Sequence, residues 1–178
     1  AVIDSHCHLD FEDFDLDRER VLEQCQQQGI TRILVPGIST SRIPHQRELQ
    51  QRQRHLKHTN RKAVSIDLAF GLHPYFLPEN IDAHITQLSE HVSALREDVV
   101  AIGETGLDGA IKELVPWERQ IQSLQAHIDL ANSHELPLIL HHRQSHNELI
   151  RELKRSKFQQ GGIVHAFSGS AQVAKQYM

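Results

Sequence analysis

Short apolar runs alternate along this chain with longer polar segments in which apolar residues recur every three or four positions. The first pattern predicts strands and the second amphipathic helices. Strands are expected at Val2–His6, Arg32–Pro36, Ile66–Leu72, Val99–Gly103, Leu138–His141 and Gly162–Ala166. Helices are expected between them, over Asp15–Gln28, Ile43–Thr59, Ile81–Arg96, Pro116–His134, Gln144–Ser156 and Ser170–Tyr177. The punctuation agrees. Pro116 opens a helix where its missing N–H costs nothing, Gly29 suits a helix end, and Pro137 separates the fourth helix from the fifth strand. No linker, low-complexity tract or tail breaks this rhythm, so residues 1–178 read as a single α/β domain.

The spacing of the strand ends selects an architecture. His6, Pro36, His73, Glu104, His141 and His165 close the runs at intervals of about 32 residues, and eight such units would take about 250 residues, the length typical of a TIM-type (β/α)8 barrel. The chain holds about the first six β/α units of such a barrel. A doubly wound open sheet is the competing layout, but its glycine-rich phosphate turn does not follow the first strand. Six units leave the first and last strands unpaired and the apolar interior half open, so the domain is expected to be truncated at its C-terminus.

Chemistry gathers at the same strand ends. Side chains at i and i+2 of a strand share a side, so His6 and His8 can send both imidazoles to one metal ion while Cys7 faces away and packs. Asp4 shares the histidines' side, where it either orients an imidazole or makes an ordinary buried hydrogen bond. The later runs end in GLHP with His73, GET with Glu104, HHR with His141, and HAFSG with His165. Barrel enzymes collect their catalytic groups from these ends. Glu104 emerges from the apolar run Val99–Ile102, where an unpaired carboxylate is costly and cations remove the cost. The competing readings are a structural salt bridge for Glu104 and backbone hydrogen bonds for the histidines.

Composition narrows the setting. The 14 histidines are the outlier, yet His45, His55, His58, His84 and His91 fall in polar helical stretches and are expected at the surface. A formal charge of −4 announces no broad basic surface for nucleic acid, although bound cations can supply a positive field locally. Two cysteines are too few for a disulfide framework, which points to a reducing, cytoplasmic setting. No stretch reaches the length of a membrane span and the N-terminus lacks the regions of a signal peptide, so no membrane partner is expected.

Taken together, VIDSHCHLD, GLHP, GETGLD with a Gln-rich helix after it, LILHHR and IVHAFSG resemble the motifs of the TatD family of metal-dependent deoxyribonucleases, within the amidohydrolase-like metal-dependent barrels. The resemblance covers the whole chain in the family's order. It implies a TIM-like barrel with two divalent metal ions and a metal-activated water that cleaves phosphodiesters, often trimming single-stranded DNA from its 3′ end. Carried over by position, it implies that His6 and His8 hold one ion, that Glu104 bridges both, and that His141 and His165 hold the second. Family members usually add an aspartate at the end of an eighth strand. The sequence stops at Met178, before a seventh, so the ion of Glu104, His141 and His165 is expected to be the better occupied. HHR departs from the more usual H-S-R or H-C-R at His142, and His141 is kept as the ligand because it holds the first position of the motif. The donor set suits Zn²⁺ or Mn²⁺, whereas Mg²⁺ prefers more oxygen.

The expected chemistry is two-metal hydrolysis, in which the pKa of a bound water falls from about 15.7 towards neutrality. Glu104, His73 and Arg143 form the expected catalytic set, with His73 and Arg143 on the phosphate, the latter through its planar bidentate donors. Pairing with a nearby acid is the alternative for Arg143. Asp108 is expected to organise a turn or support a ligand, and His146 to line the pocket or start a helix. Two other functions stay open: a metal-dependent hydrolase of another ester or an amide, such as aminoacyl-tRNA, and a metal-binding protein of weak activity without the C-terminal aspartate.

Overall fold

The computed structural model describes residues 2–59 and 62–178 and contains one parallel sheet of six strands in sequence order. The strands are β1 (Val2–Asp4), β2 (Ile30–Val35), β3 (Ser65–Phe70), β4 (Val99–Asp108), β5 (Leu138–Arg143) and β6 (Gly162–Val164). The helices are α1 (Arg18–Gln27), α2 (Ile43–His58), α3 (Ile81–Ala94), α4 (Trp117–His134), α5 (His146–Arg155) and α6 (Ala171–Tyr177). Each strand pairs in parallel with its predecessor. A doubly wound sheet would reverse its strand order at a switch point. This one does not, and it curls into a half-barrel of the TIM type.

Alternation along the strands divides the apolar residues between the two faces. Ile33 and Val35 of β2, Leu68 and Phe70 of β3, and Leu138 and Leu140 of β5 join Leu22, Leu49, Leu88, Leu124 and Leu149 of the helices in the main core. The intervening Leu34, Ala69 and Ile139 form, with Ala101 of β4, a small cluster built from strand residues alone. The helices therefore cover one face, and the other carries only a thin apolar floor. β1 and β6 are the edges of the described sheet, and Val2, Ile3 and Ile163 on them are exposed, as the half-open barrel predicts.

Helix α4 buries Gln120, Leu124, His127, Ile128 and Ala131 along one stripe, the spacing expected of an amphipathic helix. Helix α2 does the same with an unusual choice of residues. Its buried Gln46 donates to the Val35 and Ala69 carbonyls and its buried Gln50 to that of Ile66, each at 3.0 Å. Among the described residues no helix is long and apolar enough to cross a membrane.

The element boundaries depart from the sequence pattern where they matter for chemistry. β1 and β6 end at Asp4 and Val164, before their histidines, so His6, His8 and His165 lie in the loops just past the strands. β4 runs beyond Gly103 to Asp108 and stays paired with β5 as far as Asp108↔Arg143, across an irregularity between Gly103 and Thr105.

Candidate metal centre

Glu104 sits at that irregularity, and the glycines around it explain how it gets there. Gly103 has φ +144° and Gly106 φ +146°, conformations that side-chain-bearing residues rarely adopt. A Cβ on Gly103 would stand 2.5 Å from the Ile139 carbonyl oxygen, and one on Gly106 would strike the carbonyl of His141. The backbone of β4 can therefore press against β5 only with glycine at both places. The Glu104 N–H donates to the Gly37 carbonyl at 2.8 Å, and the Gly37 N–H to that of Gly103 at 2.9 Å, so the loop after β2 clamps the turn. The result is a carboxylate that is 1% exposed and aimed at histidines from four strand ends.

The two oxygens of Glu104 face different partners. Oε2 lies 3.1 Å from His6 Nε2 and 3.1 Å from His8 Nε2, and those two nitrogens are 3.3 Å apart. An ion about 2.0–2.1 Å from each of three donors would space them about 3.0–3.4 Å apart. The triangle fits that spacing. Around Oε1 stand His141 Nδ1 at 3.1 Å, His165 Nε2 at 3.2 Å and His73 Nε2 at 3.5 Å. Two groups thus have the spacing to hold an ion: His6 with His8 and Glu104, and His73 with Glu104 and His141. The rings of His6 and His165 stack at 3.8 Å between centroids, 5° from parallel, so the curl brings the ends of the two edge strands to one site.

Hydrogen bonds on the far side of each ring separate these candidates further. The Tyr75 N–H donates to His73 Nδ1 at 3.0 Å. A neutral His73 therefore carries its proton on Nε2, and a protonated nitrogen points into the site as a donor rather than as a ligand. His141 has the opposite arrangement. Its Nε2 lies 3.0 Å from Asp108 Oδ2, so a proton there leaves Nδ1 free for an ion, the carboxylate–histidine pairing common around metals. Gln120 holds Asp108 in turn, accepting from its N–H at 2.7 Å and donating to its carbonyl at 3.0 Å. The Leu72 N–H donates at 2.9 Å to Nε2 of the fully buried His127, which fixes the turn before His73.

Burial alone would push the Glu104 carboxyl up, but bonds from His141, His165, His6 and His73 outweigh it and hold the group well below the usual carboxylate range. Burial lowers the pKa of His73, with only partial relief from Glu104. Burial also works against protonation of His141, but Glu104 and Asp108 overcome it and raise that pKa.

All five expected ligands, His6, His8, Glu104, His141 and His165, meet at one place, and His73 joins them. Arg143 does not reach the cluster: it is exposed at the end of β5, with no ion-pair partner among the described residues. Asp4 accepts at 3.0 Å from the His6 backbone N–H, so it shapes the loop instead of orienting an imidazole. Cys7 packs against the core, where burial pushes its thiol up to about 11. His142 turns away from the site, as alternation requires, and lies buried 3.9 Å from the His146 ring. The grip of Gln120 on Asp108, and of His127 on Leu72, was missed from the sequence. The Gln-rich helix after GETGLD was the one available signal.

Known proteins resemble this chain in sequence and fold. The profile of the family described as TatD related DNase matches residues 3–178. YjjV of Escherichia coli, an uncharacterized metal-dependent hydrolase, is 35% identical over 176 residues, which cover 99% of this chain and 64% of YjjV. The crystal structure of that TatD homologue superposes with a TM-score of 0.84 at 34% identity, over 98% of this chain and 63% of the other. The 3′-5′ ssDNA/RNA exonuclease TatD of Erwinia billingiae is 29% identical over 88% of this chain and 56% of its own length. The chain thus spans less than two thirds of the length of these relatives.

Proposed function

Because the chain belongs to the family of TatD-related DNases, we propose that it is a metal-dependent hydrolase of phosphodiester bonds that trims single-stranded nucleic acid from the 3′ end. The observation that carries this reading is that each oxygen of one buried carboxylate, Glu104, meets nitrogens of at least two histidines. In it, His6 and His8 would hold one divalent ion and His141 and His165 a second, with Glu104 offering one oxygen to each. Zn²⁺ and Mn²⁺ suit this mixture of imidazole and carboxylate. Such ions, when bound, lower the pKa of a water and polarise phosphate oxygens.

The residues of the chain supply the rest. Glu104 would offset part of the charge of ions held there, which lowers the cost of placing two cations in one buried site. Asp108 keeps the His141 ring turned towards the carboxylate. His73 presents its Nε2–H to a phosphate oxygen and stabilises charge that grows there, a donor fixed before the substrate arrives. Arg143, exposed at the end of β5, offers a guanidinium that can pair with an incoming phosphate. The names of relatives such as the Erwinia exonuclease support the choice of substrate. A cytoplasmic setting belongs to the same reading and is supported by two cysteines that form no disulfide.

The test is hydrolysis of end-labelled single-stranded DNA and RNA, beside small ester and amide substrates, before and after exhaustive chelation. Mononucleotides should leave the 3′ end, and activity should vanish with the metal and return with Mn²⁺ or Zn²⁺. Turnover that survives chelation, or that is confined to the ester or amide substrates, would overturn the reading.

A further inference from the structure

We propose that Tyr75 and Phe76 form a stacking platform for a nucleobase beside the metal centre. The inference rests on the phosphodiesterase reading of that centre and adds what recognises the strand. Aromatic residues are only 5% of the chain. Among the described residues three of them are exposed: Tyr75 at 52%, Phe76 at 47% and Phe167 at 37%. All three lie in loops that leave the strand ends carrying site histidines, and Tyr75 and Phe76 follow His73 directly after Pro74.

The platform lies next to the chemistry. The Phe76 ring is 5.8 Å from that of His73, whose Nε2 is 3.5 Å from Glu104. Tyr75 and Phe76 meet edge to face at 5.2 Å, an arrangement that leaves outer ring surface uncovered. A short 3-10 turn over Pro74–Phe76 holds both rings, with Pro74 buried, the Tyr75 N–H on His73 Nδ1 and the Phe76 N–H on the His73 carbonyl at 2.9 Å. The backbone that carries the rings is thus ordered before a flat partner binds, which lowers the cost of binding.

Charge argues for the same ligand. With 19 basic against 23 acidic residues, the chain has no general attraction for a polyanion. Stacking supplies affinity that does not depend on net charge, and it accepts any base because each has a π-face. A nucleobase flanking the scissile phosphate is therefore the ligand that both the rings and the metal centre can share.

The experiment measures binding of 5′-fluorescein-labelled phosphorothioate tetramers, either adenine-bearing or abasic, in deoxy and ribo series, to the wild-type chain, Phe76→Leu and Tyr75→Leu with Mn²⁺ present. Wild type should prefer the base-bearing tetramers by about 5- to 100-fold, and each variant should lose most of that preference while its affinity for the abasic tetramers stays the same. The loss is expected in both sugar series. Equal affinity of wild type for base-bearing and abasic strands, or a preference unchanged in both variants, overturns the inference. So does a loss confined to one sugar series, or a change only in self-association by sedimentation. Hydrolysis of bis(4-nitrophenyl) phosphate by the wild type reads the phosphodiesterase proposal separately. Its absence with base preference intact sinks that proposal alone, and its presence without base preference sinks the platform alone.

Discussion

The two sides of Glu104 are built differently. Around Oε2, His6 and His8 come from the loop after the edge strand β1, and the Nδ1 atoms of both rings are buried without a partner among the described residues. Around Oε1, His141 is turned by Asp108 and His73 is held by the Tyr75 N–H, with Gln120 and His127 behind them. A buried polar atom left unpaired costs about 1–3 kcal/mol. His141 and His73 on the Oε1 side are therefore oriented by protein hydrogen bonds, whereas none among the described residues reaches the far nitrogen of either ring on the Oε2 side.

Removing the shared carboxylate charge should have the largest effect. Glu104→Gln is expected to lose both ions, read as a fall from two bound metals to none by elemental analysis of the dialysed protein. A variant that kept both would separate the two halves and end the bridging role.

The support behind the Oε1 side should carry a pH signature. Burial holds the imidazole of His127 down to about 4, against 6.5 when unperturbed. The unfolded chain takes up that proton first, so the stabilisation is complete above 6.5 and is lost as pH falls towards 4, by about 3 kcal/mol in all. Thermal melts of the wild type should drop across this window, and those of His127→Gln should drop less. Parallel curves would assign the pH dependence elsewhere.

Two aspartates then compare the halves directly. Asp108→Asn, which leaves His141 without its carboxylate, should weaken one ion by about 10- to 100-fold and spare the other. Asp4→Ala removes only a hydrogen bond to the His6 backbone and should cost about 1 kcal/mol on the Oε2 side. Competition titrations against a chromogenic chelator measure both. Equal effects of the two substitutions would mean that the sides are not organised differently.

The strand–helix rhythm and the ligands at the strand ends were legible because period-2 and helical patterns differ sharply and because H-x-H and G-E-T stand out at the ends of apolar runs. The strand alternation that sends His141 inward also sends His142 towards the helices. What stayed hidden depends on contacts between residues far apart in sequence. Gln46, Gln50 and Gln53 look like a solvated face of α2, yet they are buried, and the first two satisfy strand carbonyls. His127 lies in a helix whose pattern predicts burial but not the Leu72 N–H that it accepts. The donor role proposed for His73 rests on one backbone N–H two residues on, a contact made by the 3-10 turn and invisible in the letters GLHP. The reach of β4 to Asp108 depends on glycines that allow close approach to β5, which periodicity does not report.

Crystals grown with Mn²⁺ and measured at the manganese absorption edge test the central claim most directly. Two anomalous peaks are predicted on opposite sides of the Glu104 carboxylate, one beside Oε2 with His6 and His8 and one beside Oε1 with His141 and His165. A single peak, or peaks that leave either Glu104 oxygen uncoordinated, would contradict the bridged two-ion centre.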